Sequence, residues 1–148
     1  MKQAGLKLAA AALGVVPLIP GYALTRWPEL IQGDAALAGI LLGLAVLAYF
    51  YLTAKRLEKK LPGWGGVLLL SAFGFVMLVL LVTQEVAVGR YWSGLLGLLP
   101  QAYFVPVDGL SARLLAGGTI YGWMAPMTGY FLQVLLTVIG GNVKLLRK

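Results

Sequence analysis

Four stretches of this chain are apolar for long enough, or nearly so, to cross a bilayer, and no other feature constrains its folding as strongly. They run over 8–25, 35–53, 66–88 and 118–140. At about 1.5 Å of rise per residue, ~20 residues span a hydrocarbon core of ~30 Å. Such runs predict an all-α integral membrane protein, a four-transmembrane-helix bundle forming one domain over 1–148. A short interfacial or re-entrant helical segment is expected over 89–117, between the third and fourth helices.

The composition agrees with that solvent. Of 148 residues, 60% are hydrophobic and only 11% charged, where a soluble domain carries roughly a quarter charged. A water-soluble fold of this size could not hide so much apolar surface, whereas lipid removes the need to hide it.

The net charge of +7 is organised by side. One set of basic residues is Lys2 and Lys7, then Lys55, Arg56, Lys59 and Lys60, then Lys144, Arg147 and Lys148. Arg26, Arg90 and Arg113 fall in the alternate connections, as do Glu29, Asp34, Glu85 and Asp108. Basic loops mark the cytoplasmic face. Both termini and the 54–65 connection are therefore expected in the cytoplasm, most simply across a prokaryotic plasma membrane. The charge reads as topology and as attraction to anionic lipid headgroups at the inner face. Nucleic acid is not an expected partner, whereas another membrane chain or further copies of this one are.

No cysteine and no histidine occur. Disulfides, thiolate metal sites, Cys nucleophiles and His general bases are excluded together. The five carboxylates are scattered, and no phosphate-binding glycine loop or paired-acid motif is present. The Gly-Trp-Gly-Gly at 63–66 reads as a flexible turn. No enzyme, cofactor or metal is expected.

What remains is a set of polar, small and helix-breaking residues within the apolar runs. Pro17 and Pro20 should kink the first helix or end it early. Each removes an amide donor and frees the carbonyl four residues before it, at Leu13 and Val16. That run also has the look of a signal peptide, with Gly21 and Ala23 before a cut, although its length favours retention as a helix. Gly39 and Gly43 on the second helix, and Gly118 and Gly122 on the fourth, form small-residue faces that let another helix approach. Pro126 should kink the fourth helix. Tyr49, Phe50 and Tyr51 are expected to close the second helix at the inner interface.

The third helix ends Thr83-Gln84-Glu85. A carboxylate in a membrane segment is a candidate functional group, though one near the end of its helix can meet water or Arg90. Glu85, Gln84 and the deeper Gln133 form the candidate pathway or polar site. The 89–117 segment is apolar but interrupted by Pro100, Pro106 and five glycines. Asp108 is expected to cap a short helix over 109–116, covering the outer end of the bundle.

Two functions fit these features. One is a non-catalytic membrane subunit or assembly factor packed against other membrane chains. The other is a small oligomeric transporter or channel, with a path beside the kinked first and fourth helices.

Overall fold

The computed structural model describes residues 2–26, 35–61, 64–90, 94–115 and 122–141, apart from the side chains at 2, 35 and 36. It is all-helical. The elements are α1 (Lys2–Leu13), α2 (Leu18–Arg26), α3 (Ala35–Glu58), α4 (Trp64–Val82), α5 (Leu95–Leu114) and α6 (Met124–Gly141), with a π-helical turn, Thr83–Val88, continuing α4. Four units are long and apolar enough to cross a membrane: Gln3–Arg26, Leu37–Glu58, Trp64–Val88 and Met124–Gly141.

The first of these is two helices. The Ala-rich stretch of α1 has high helix propensity, and then Gly14-Val15-Val16-Pro17 interrupts it. Across the break the chain tightens into i→i−3 bonds, from Gly14 N–H to Ala11 O (3.1 Å) and on to Ile19 N–H to Val16 O (3.0 Å). Pro17 is the pivot, because it can neither donate nor accommodate the α-helical carbonyl below it. Pro20 lies in the first turn of α2, where an amide has no intrahelical partner to lose. Pro126 likewise lies in the first turn of α6. The interruption of the helix falls at Pro17, between Leu13 and Leu18.

The remaining boundaries shift for local reasons. Helix α3 continues past 53, through Lys55 and Arg56 to Glu58, because nothing before Pro62 stops it. Trp64, Gly65 and Gly66 belong to α4 rather than to a flexible turn. Gly89, in the left-handed region at φ 68°, caps the π-helical turn, and its N–H and that of Arg90 both bond to Gln84 O. This closure satisfies the Gln84 carbonyl at the end of the turn.

The largest departure from expectation is the 89–117 segment. Helix α5 runs unbroken for 20 residues through both prolines, and Asp108 lies inside it instead of capping a helix over 109–116. Nor is α5 a cover. Tyr103, Phe104, Val107 and Ala102 are almost completely buried, and α5 packs on α2, α3, α4 and α6. With Phe50, Leu70, Met77 and Leu81, its aromatic residues fill the middle of the bundle. The Tyr103 ring meets Phe104 and Phe73 edge-on, at 5.0 and 5.4 Å between centroids, an arrangement that suits the ring quadrupoles.

Around this core, α3 and α4 pack along α6, and α1 lies on α4. Outward faces are bare and apolar: Leu41 and Leu44 on α3, Leu68 and Phe75 on α4, Phe131 and Leu135 on α6. Water would penalise such faces and hydrocarbon does not.

Candidate functional site

Helix breaks inside an apolar bundle leave carbonyls that something must satisfy. Here the partners are tyrosines. Tyr49 Oη donates to Leu13 O at 2.8 Å, the carbonyl that Pro17 frees. Tyr103 Oη donates to Gly14 O at 3.2 Å, which lost its own partner when Leu18 N–H turned to Val15 O (2.9 Å). Tyr130 Oη reaches Ser71 O, on α4, at 3.4 Å. Gly74 makes room for this cluster: a Cβ there would meet Tyr103 Oη at 2.9 Å and the Tyr130 ring at 3.2 Å. Gly14 in turn presses on the backbone carbonyl of Leu70. The break, α3, α4, α5 and α6 thus meet through tyrosine bonds, of which that of Tyr103 is buried and those of Tyr49 and Tyr130 partly so.

The same logic recurs at α5. Pro100 frees the carbonyl of Leu96, and the Gln84 side-chain amide donates to it at 3.2 Å. Gln84 is completely buried. Its role is a bridge from the π-helical turn to a proline-freed carbonyl. Pro106 frees the carbonyl of Ala102, which faces Gly21 so closely that a Cβ on Gly21 would overlap it. A glycine backbone is the one surface that can come this near, and its Cα–H is a weak donor.

Glu85 stands apart from both. Its carboxylate lies against Gly122, in the space a Cβ at 122 would occupy. That position is just before the N-terminus of α6, where a negative charge is favourable. Gln133 is buried on α6, with Nε2 lacking a hydrogen-bond partner among the described residues, as does Ser71 Oγ. The structure therefore does not gather Glu85, Gln84 and Gln133 into one site. Gln84 bridges to α5, Glu85 sits at the start of α6, and Gln133 lies more than two turns further along α6.

Of the small-residue positions, Gly39 faces Gly109 of α5, where a Cβ would come within 3.6 Å of the Gly109 Cα. Gly43 faces Leu110 and the carbonyl of Pro106, at 2.9 and 3.3 Å. Both serve the α3–α5 crossing. Gly122 meets the carboxylate of Glu85, on the π-helical turn that continues α4, and Gly118 lies outside the described residues. Tyr49 turns its hydroxyl to Leu13 and Phe50 is 1% exposed, and α3 does not close at these residues but runs on to Glu58.

Sequence reasoning missed Tyr49, Tyr103, Tyr130, Gly14, Gly21 and Gly74. The available signal was the proline arithmetic: each freed carbonyl demands a donor, and Tyr and Gln are among the side chains long enough to supply one from another helix. Among the described residues no three His, Cys, Asp or Glu side chains converge on a common metal position. No protein-family model, curated protein or solved structure matches this chain. Its geometry defines it as an all-helical bundle of four membrane-length units around a tyrosine-bridged helix break.

Proposed function

We propose that the chain is a non-catalytic integral membrane subunit or assembly factor that packs against other membrane chains. The observation that carries this reading is the inward use of its polar groups. The Tyr49, Tyr103 and Gln84 donors are committed to the chain's own backbone, and Tyr103, Phe104 and Phe50 fill the centre. What the chain offers its surroundings is a set of apolar helix faces, with cations at one end. Its residence is a prokaryotic plasma membrane, with both basic termini in the cytoplasm.

One observation favours a second reading, a small oligomeric transporter or channel. Discontinuous helices with polar groups at mid-depth are how many transporters build a binding site. The break at Gly14–Pro17 and the unpartnered Ser71 Oγ fit that pattern.

Native mass spectrometry of the full chain in lipid nanodiscs, purified under conditions that retain associated proteins, tests the first reading. The expected result is a stoichiometric second membrane chain, and a bare monomer would overturn it. Flux assays in proteoliposomes test the second. We expect no ion or proton flux from wild type or from Glu85→Gln. Wild-type flux that disappears in Glu85→Gln would reverse the ranking.

A further inference from the structure

Helix α1 leans on α4, and it meets α3 through the Tyr49–Leu13 hydrogen bond near its C-terminus. Beyond that tie α1 and α3 are not packed on each other, and a groove of ≈ 770 Å³ is lined by residues of both. It is lined by Leu6, Ala9, Leu13, Tyr49, Leu52, Thr53 and Leu57 together with Lys55, Arg56, Lys59 and Lys60, and the four cations follow Tyr49 toward the C-terminal end of α3. The volume lies within the roughly 300–1,000 Å³ of sites that take one small ligand.

Charge around the mouth is sorted. Glu58 is the one acid between Asp34 and Glu85, and it lines a separate crevice with Ala54, Leu61, Gly66 and Gly141. The groove side therefore presents four cations and no carboxylate among its lining residues. Lys55, Arg56, Lys59 and Lys60 are all exposed, so their heads are free to meet an anion at the mouth. The dimensions also fit one leaflet. From Tyr49 to Lys59 the chain rises ~15 Å at 1.5 Å per residue, half of a ~30 Å hydrocarbon core.

We propose that this groove is a binding site for one anionic glycerophospholipid of the inner leaflet. An acyl chain lies between α1 and α3 up to the Tyr49–Leu13 tie, and the phosphate is held by Lys55, Arg56, Lys59 and Lys60. A largely apolar slot that starts at the Tyr49–Leu13 tie and carries four cations toward the C-terminal end of α3 matches an amphipathic anion. A partner helix would need apolar residues where the four cations stand. The lipid replaces the packing that α1 and α3 do not give each other, so its occupancy is coupled to how firmly the broken first unit is held.

The full chain, stripped of lipid in detergent, is titrated with phosphatidylglycerol or with phosphatidylcholine of the same acyl chains, and bound lipid is counted by native mass spectrometry. One phosphatidylglycerol per chain should bind at least ~10-fold more tightly than phosphatidylcholine, because headgroup attraction multiplies with each cation. Exchanging all four cations (K55Q, R56Q, K59Q and K60Q together) should reduce phosphatidylglycerol to the phosphatidylcholine level. Ala9→Trp, which fills the slot from an exposed position, should weaken both lipids while leaving the circular dichroism spectrum unchanged. Equal affinity of the two lipids for wild type would overturn the proposal. So would Ala9→Trp binding phosphatidylglycerol as wild type does, since the attraction would then be a property of the charged surface alone. A dimer that forms on lipid removal and dissociates on lipid addition supports the groove as the lipid's place, whereas a dimer that persists with lipid bound elsewhere refutes it.

Discussion

At the scale of single residues, the informative unit is a carbonyl and its donor. Leu13, Gly14 and Leu96 present carbonyls that their own helices cannot serve, and Tyr49, Tyr103 and Gln84 serve them from other elements. In hydrocarbon an interhelical hydrogen bond of this kind contributes about 0.6–2 kcal/mol. Tyr103→Phe keeps the ring packing on Phe104 and Phe73 and removes only the donor to Gly14. It should lower thermal stability in detergent by an amount equivalent to about 1 kcal/mol, with Tyr49→Phe similar. Tyr22→Phe, at an exposed position, is the control and should be neutral. A melting temperature for Tyr103→Phe equal to that of the control would mean that the bridge is geometric coincidence. Glu85 belongs to this scale too: its carboxylate lies beside Gly122, just before the start of α6, where a negative charge is favourable.

At the scale of elements, glycine positions decide which helices touch. A Cβ at Gly14 would collide with the Leu70 carbonyl, and one at Gly21 with the Ala102 carbonyl. Both obstacles are backbone, so the helices themselves must move apart. Gly14→Ala and Gly21→Ala should each cost about 1–3 kcal/mol, as overpacking does, and should loosen α1 from α4 and α2 from α5 respectively. Gly65, in the first turn of α4, has nothing within 4 Å of a built Cβ. Gly65→Ala should be neutral or stabilising by up to ~1 kcal/mol through helix propensity. Thermal unfolding of the three variants in one detergent checks this, and equal effects at all three would refute the close-approach account. The prolines act at the same scale and differ only by position. In the first turn of α2 or α6 they cost nothing, at 17 they break the path, and at 100 and 106 they stay within α5 with their freed carbonyls facing Gln84 and Gly21.

At the scale of the whole molecule, the bundle has a basic end, with exposed Lys55, Arg56, Lys59 and Lys60, and an opposite end with exposed Arg26 and Arg90. Cysteines introduced singly at Lys59 and Arg90 should label from opposite sides of intact cells, Arg90→Cys from outside with an impermeant reagent. Labelling of both from outside would end this topology. Gly109 is unsuitable as a reporter, because it packs against Gly39. Much of this scale is legible in the sequence. Run length against bilayer thickness, Pro17 as a break and the alternation of basic clusters follow from local chemistry, since hydrophobic length and charge are properties of a segment by itself. The fate of 89–117 is not local. Two prolines and five glycines read as a short, interrupted interfacial or re-entrant segment, because their cost is local and its compensation lies in distant residues. Only the tertiary structure brings Gln84 to Leu96 and Gly21 to Ala102, and only there does α5 become affordable as a continuous, buried helix. The sequence by itself determined the helical class, the four membrane-length apolar units found among the described residues and the position of the break. Tertiary packing decided which side chains answer the broken backbone, because a hydrogen-bond donor can come from any element that the fold carries within reach.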